Sequence, residues 1–232
     1  MFRRTYTYMK ILPLLSMMLC LSHGLIGQSS GDSNELSDQQ ALDILEKIMD
    51  DYESHNSHHI SFDLKIELPG EAPQTKEGSL IQSGEKFELD IDDKLIISDD
   101  ETVWLYLKND NEVQINDADF GQDGEYMSPN TIFNLYKSDE FVFAIFQQSY
   151  ENGKAITQIE CKPRDPDSEY SKMRLTVEDH INAVKRFKIF AKDGSRFTMI
   201  LNFHKKDVKL EEGTFRFDPE QYEDIIIEDL RF

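Results

Sequence analysis

The chain has 232 residues, 39% of them hydrophobic, and carries 45 acidic side chains against 25 basic ones. A net charge of −20 gives an average surface that repels nucleic acid and anionic membrane and keeps the protein dispersed. The length suffices to bury one sizeable core.

The first 27 residues read as a secretory signal. Arg3, Arg4 and Lys10 make a basic start without acids, and Ile11 to Ile26 is apolar but, at 16 residues, short for a membrane span. Cleavage after Gly27 would leave residues 28–36 as a polar leader and residues 37–232 as a single exported, soluble domain. Cys20 follows Leu19, whereas a lipidated cysteine needs a small residue before it. Removing the three cations leaves 22 basic against 45 acidic side chains, a net −23, and Cys161 as the remaining cysteine, so no intramolecular disulfide can form.

After the leader, Ser37 is the expected cap of a helix with Asp38 in its first turn. Leu42, Leu45, Ile48 or Met49, and Tyr52 recur at helical spacing, which gives one apolar face. The period then switches to two: Ile60, Phe62, Leu64, Ile66 and Leu68 alternate with polar residues. Further strands are expected at Gly78–Gln82, Phe87–Ile91, Leu95–Ile97, Thr102–Leu107 and Glu112–Ile115, separated by turn residues at Gly84-Glu85, Asp92-Asp93, Asp99-Asp100 and Lys108–Asn111. Alternation places Phe62, Leu64, Leu80, Phe87, Leu89 and Ile91 on the interior side.

The stretch "GQDGEYMSPNTIFNLYKSDEFVF" interrupts the strands. Ser128-Pro129 starts a short helix with Ile132, Phe133 and Leu135, and five large apolar groups follow between Phe141 and Phe146. The segment from Pro129 to Phe146, too apolar for an exposed connection, reads as a mobile cover flanked by glycines. Strands resume at Lys154–Lys162, Arg174–Glu178, Ala183–Ala191, Arg196–His204 and Thr214–Phe217, with Asp193-Gly194 as a hairpin turn.

No catalytic constellation emerges. His55, His58 and His59 form "HNSHH", but adjacent residues of an extended chain point apart, so a solvated loop is the better reading. Asp90, Asp92, Asp93, Asp99 and Asp100 lack the spacing of a calcium loop. Cys161 has no positioned base, and no nucleophile-elbow serine occurs. The expectation is a protein that is not an enzyme and needs no metal or cofactor. What stands out is apolar surface: 15 Phe, 9 Tyr and 8 Met.

The series "EGSLIQSGEKFELDI", "IISDDETVWLYLKNDNEVQI", "SPNTIFNLY" and the ending "GTFRFDPEQYEDIIIEDLRF", taken in order, resembles the LolA-like outer-membrane lipoprotein carrier family from about Ala41 onward. The resemblance implies an α+β fold: a strongly curved antiparallel sheet, an unclosed β-barrel, with helices covering an apolar cavity. It implies a monomeric periplasmic carrier of acylated lipoproteins, with an inner-membrane lipoprotein-releasing transporter and an outer-membrane acceptor as partners. Sensing or accepting lipoproteins on the same fold is the alternative.

Cavity candidates are Leu45 and Met49 on the helix, Phe62, Leu64, Leu80, Phe87, Leu89 and Ile91 on strands, and Ile132, Phe133, Leu135, Phe141, Phe143 and Phe146 in the cover. Trp104 and Tyr106 belong to the barrel framework. Two departures from the family pattern stand out. Gln82-Ser83 replaces an Arg-Pro whose arginine holds the lid, and Asp99-Asp100 replaces Asp-Gly before the tryptophan strand.

Overall fold

The computed structural model describes residues 36–118 and 139–231. The expected signal and leader up to residue 35, and Ile132, Phe133 and Leu135, lie outside the described residues. Helix α1 spans Gln39–Glu53. Twelve strands follow: β1 His58–Glu67, β2 Gln74–Ser83, β3 Lys86–Ile91, β4 Lys94–Ser98, β5 Thr102–Leu107, β6 Glu112–Asp117, β7 Phe141–Glu151, β8 Lys154–Pro163, β9 Tyr170–Glu178, β10 Ala183–Ala191, β11 Arg196–Lys206 and β12 Ile226–Asp229. They form one sheet in the order β12-β6-β5-β4-β3-β2-β1-β11-β10-β9-β8-β7. Every pairing is antiparallel except the parallel contact of β12 with β6. β7 and β12 end the sheet, so it does not close. β6 and β7 are neighbours in sequence and lie towards its opposite ends.

Alternation explains which side each residue takes. On β1, His58, Ile60, Phe62, Leu64 and Ile66 are buried while their neighbours are half-buried, the half-covered strand expected from a period of two. This inner face packs under α1, whose Ala41, Ile48, Met49 and Tyr52 are buried. The turns use the residues that tolerate a left-handed backbone. Asp100, where the family pattern has glycine, sits at φ 81° and Asp92 at φ 55°.

Three expectations are corrected. The helix cap is Asp38, whose side chain accepts from the Gln40 N–H at 2.9 Å, and Ser37 Oγ instead accepts from the Phe143 N–H of β7. Phe141–Phe146 is the first half of β7, paired with β8 from Phe141 opposite Pro163. It is therefore sheet and not a mobile cover. Thr214–Phe217 is no strand but a turn, closed by Thr214 N–H to the Glu211 carbonyl and Arg216 N–H to the Gly213 carbonyl. Its alternating aromatic residues leave the sheet ladder to cover the outer face. Phe217 is buried there with Ile97, Tyr106 and Val113, and Trp104 and Phe215 pack against them. Tyr106 lies 4.5 Å from Tyr222 and 5.4 Å from Phe217, ring to ring.

Gly78 on β2 faces Phe62 on β1. A Cβ at this position would stand 2.3 Å from the Phe62 ring, so the ring lies where only glycine leaves room. Gly78→Ala is expected to lower the free energy of unfolding by about 1–3 kcal/mol. Urea denaturation checks it, and an unchanged midpoint would show that the ring moves aside freely.

Candidate functional site

The register assembles the inner face into cross-strand rows. One row runs Ile145, Ile159, Leu175, Phe187, Met199, Leu64 from β7 to β1. The next runs Phe143, Cys161, Met173, Ile189, Phe197, Ile66 across the same six strands. Directly opposed side chains lie about 4.5–5.5 Å apart at Cβ, so both rows are unbroken apolar bands. From Ile60 on β1, Leu80, Leu89, Ile96 and Leu105 continue the face through β2 to β5.

Burial is uneven along these rows. Phe62, Leu64, Phe141, Phe143 and Ile159 are at most 5% exposed. Leu80, Leu89, Ile91, Leu175, Phe187, Met199 and Leu201 are only half-buried, packed against the same cluster. Burial pushes the Cys161 thiol up to about 12, which makes it an inert apolar group of the row.

α1 is tied over this face at both ends. At its start the Asp38 N–H donates to the Phe143 carbonyl at 2.7 Å, the Phe143 N–H to Ser37 Oγ at 3.2 Å and the Ile145 N–H to Asp38 Oδ2 at 3.4 Å. These bonds occupy part of the outer edge of β7. At its end the Tyr52 hydroxyl donates to Gln82 Oε1, and Gln82 Nε2 donates to the Gly84 carbonyl at 3.0 Å. Gln82, at the position of the family's arginine, is thus a neutral tie between helix and sheet and is 1% exposed. Burial raises the Tyr52 hydroxyl well above its ordinary range, so it stays a donor.

The solvated loop expected of "HNSHH" is corrected here, since His58 and His59 open β1 and His58 is buried, and the same joint holds a histidine pair that sequence separation conceals. Tyr52 stacks on His58 at 3.8 Å, and His58 Nδ1 lies 2.9 Å from His204 Nε2. One nitrogen of that pair must carry a proton and the other a lone pair. Burial, then neighbouring His58 and Lys206, lowers His204 to about 4. His58 is lowered by burial, His55 and Lys206, against an opposing pull from Asp207. Lys206 also pairs with Asp51 of α1.

Because the folded values lie below the ordinary 6.5, this joint supplies stability that is complete above pH 6.5 and is lost as pH falls towards 4. Unfolding midpoints measured from about pH 7.5 to 4.5 should therefore fall less steeply in His58→Asn/His204→Gln than in the parent. Parallel curves would show that the pair does not titrate on unfolding.

The structure separates the predicted cavity residues into groups. Phe62, Leu64, Phe141 and Phe143 are buried in the inner cluster, with Leu45, Leu80, Leu89 and Ile91 partly buried against it. Phe87 is buried a little further along with Ile96, Val103 and Leu105, and Met49 is buried on α1. Phe146 is the exception. A bulge between Ile145 and Gln147 turns its ring to the outer face, under Arg174 at 3.6 Å and 48% exposed. It lines a pocket of about 140 Å³ there with Val142, Ala144, Glu160 and Lys162. Sequence reading misses Leu175, Phe187, Met199 and Leu201. Their alternation is visible in the chain, but the register that lines them up is not.

Among the described residues no helix is long and apolar enough to cross a membrane, and no group of three or more His, Cys, Asp or Glu is placed to hold a metal.

Solved structures resemble the chain at low identity, and the first of them shares its fold. An uncharacterized conserved protein from Thermus thermophilus matches 82% of this chain and 98% of its own at 11% identity, with a TM-score of 0.52. A putative outer membrane lipoprotein-sorting protein domain from Vibrio parahaemolyticus matches 77% and 97% at 14% identity, TM-score 0.45. The Mycobacterium tuberculosis lipoprotein LppX matches 75% and 99% at 14% identity, TM-score 0.43. No curated protein matches the chain. The family described as outer membrane lipoprotein carrier protein LolA matches residues 54–218, which run from the end of α1 to the turn before β12. The chain belongs to that family.

Proposed function

We propose that this protein is a periplasmic carrier that takes the acyl chains of lipoproteins against the inner face of its sheet and ferries them from the inner to the outer membrane. The observation that carries the reading is the pair of apolar rows running unbroken across six strands. Several of their members are only half-buried beneath a helix held by a few polar ties. Each CH₂ removed from water is worth about 0.8 kcal/mol, so an acylated protein needs such a surface to cross an aqueous space. The helix ties are neutral or surface bonds, each worth about 0.5–1.5 kcal/mol net, so the polar cost of parting α1 from the sheet is modest, and entering acyl chains take over the apolar contacts that its buried side chains give up.

In this reading residues 1–27 are the export signal, residues 37–232 the carrier domain, and the protein works as a monomer without cofactor or catalysis. It receives cargo from a lipoprotein-releasing transporter in the inner membrane and passes it to an acceptor in the outer one. The test is a transfer assay. A purified triacylated lipoprotein, diluted out of detergent, should remain in solution as a one-to-one complex with this protein on gel filtration. The same lipoprotein without its acyl chains should elute alone. Equal retention of both forms would discard the reading.

A further inference from the structure

The outer face of the sheet segregates charge that the sequence scatters. One cross-strand row there runs Ala144, Glu160, Arg174, Lys188, Thr198, Lys65. The row beside it carries Val142 opposite Lys162, and Lys172, Phe190, Arg196 and Glu67 in succession. Six cations stand in these two rows against Glu67 and Glu160, a local excess of four positive charges on a chain of net −20.

The two acids are already committed. Glu160 is held below the usual carboxylate range: burial opposes this, but hydrogen bonds from Arg174 and Lys172 at 2.8 Å each outweigh it. Glu67 pairs with Lys65 at 3.1 Å and Lys188 at 3.9 Å. The aromatic rings lie among the cations. Arg174 sits 3.6 Å over Phe146, while Lys188, Lys172, Arg174 and Arg196 surround Phe190 at 5.2 to 5.9 Å. The next row, with Arg186, Asp63 and Glu77, is no longer basic, and the loops at the strand ends bring Asp165, Asp167 and Asp193. The patch therefore has edges.

We propose that this basic, aromatic patch docks the protein on an anionic phospholipid surface, with Phe146 and Phe190 at the level of the headgroups. Three features select that occupant. The cations spread over five strands spaced about 4.8 Å apart, a width of roughly 19 Å that suits an array of headgroups better than one anion. Screening over about 8 Å at physiological salt lets the patch act locally while the acidic remainder faces water and fixes the orientation. Half-exposed rings among Lys and Arg are the side chains that settle at a bilayer interface. The inference deepens the carrier reading, since a carrier must meet membranes to load and deliver, but it has its own readout.

The experiment is flotation with vesicles of phosphatidylglycerol and phosphatidylcholine, or of phosphatidylcholine alone, using the mature chain at low and high salt. The parent should float with the anionic vesicles at low salt only. Lys162→Glu/Lys188→Glu/Arg196→Glu, which spares the two cations hydrogen-bonded to Glu160 and removes only that carboxylate's longer Lys162 pair at 3.9 Å, should bind roughly 100-fold more weakly with its melting temperature and acyl-probe uptake retained. Should that variant melt early, Arg196→Glu alone at an exposed site carries the same comparison. Equal flotation with neutral vesicles, unchanged binding by the charge-reversed variants, or capture of an acidic polypeptide with no vesicle binding would each overturn the proposal. Loss of acyl uptake with vesicle binding intact would instead remove the carrier reading and leave the docking patch standing.

Discussion

Phe62→Ala is expected to lower the free energy of unfolding by about 3–5 kcal/mol, among the largest losses available at a single position of the inner face. Phe62 is 3% exposed, belongs to the main cluster and lies directly over Gly78. Alanine would remove the ring and leave a void that a rigid pairing of β1 with β2 and β11 cannot collapse around. The coupling to Gly78 gives the prediction a second arm. With the ring gone, Gly78→Ala should cost nothing or restore some stability, so the double variant departs from additivity in the stabilising direction. Urea denaturation of the parent, both single variants and the double variant settles it. Additive losses would mean that the ring and the glycine do not share one space.

Phe187→Glu should act on the other quantity. Phe187 stands in the apolar row between Leu175 and Met199 and is only half-buried, so a glutamate carboxylate there can keep some water and the loss of stability should be about 1 kcal/mol. An acyl chain laid along that row would meet a charge where it now meets a ring. Displacing a few CH₂ groups at about 0.8 kcal/mol each weakens uptake by roughly 100-fold. Titration with a fluorescent fatty acid, beside a thermal melt, separates the two effects. Intact uptake in a stable variant would move the acyl site away from this row.

The contrast between these two positions marks how far sequence alone reaches. Alternation along β1 marks Phe62 and Leu64 as inward-facing because a period of two is local. Nothing local pairs Phe187 with Met199 or His58 with His204. The first pair depends on the register of a hairpin, and the second joins residues 146 apart in the chain. The basic outer rows are hidden for the same reason: their six cations come from β1, β8, β9, β10 and β11.

β7 escapes a local reading because Phe141 to Phe146 breaks the alternation. Val142 is buried on the outer side while Phe141 and Phe143 are buried on the inner side, and a bulge then turns Phe146 outward, so an unbroken apolar run resembles a greasy helix. Thr214–Phe217 misleads in the opposite way. Its alternation is real, but Gly213 at φ 89° breaks the extended backbone, and Phe215 and Phe217 pack beside Tyr106 instead of joining a ladder. The family resemblance, by contrast, is legible, because it rests on the order of short motifs and needs no register.

Native mass spectrometry of the protein purified without denaturation tests the central claim most directly. The inner face should carry an acylated occupant, seen as an added mass that organic solvent strips away and that fragments to fatty-acyl chains. Phe187→Glu, expressed in the same way, should be recovered at its bare mass. A parent protein that is always empty, and stays empty after incubation with a triacylated lipoprotein, would contradict the carrier reading.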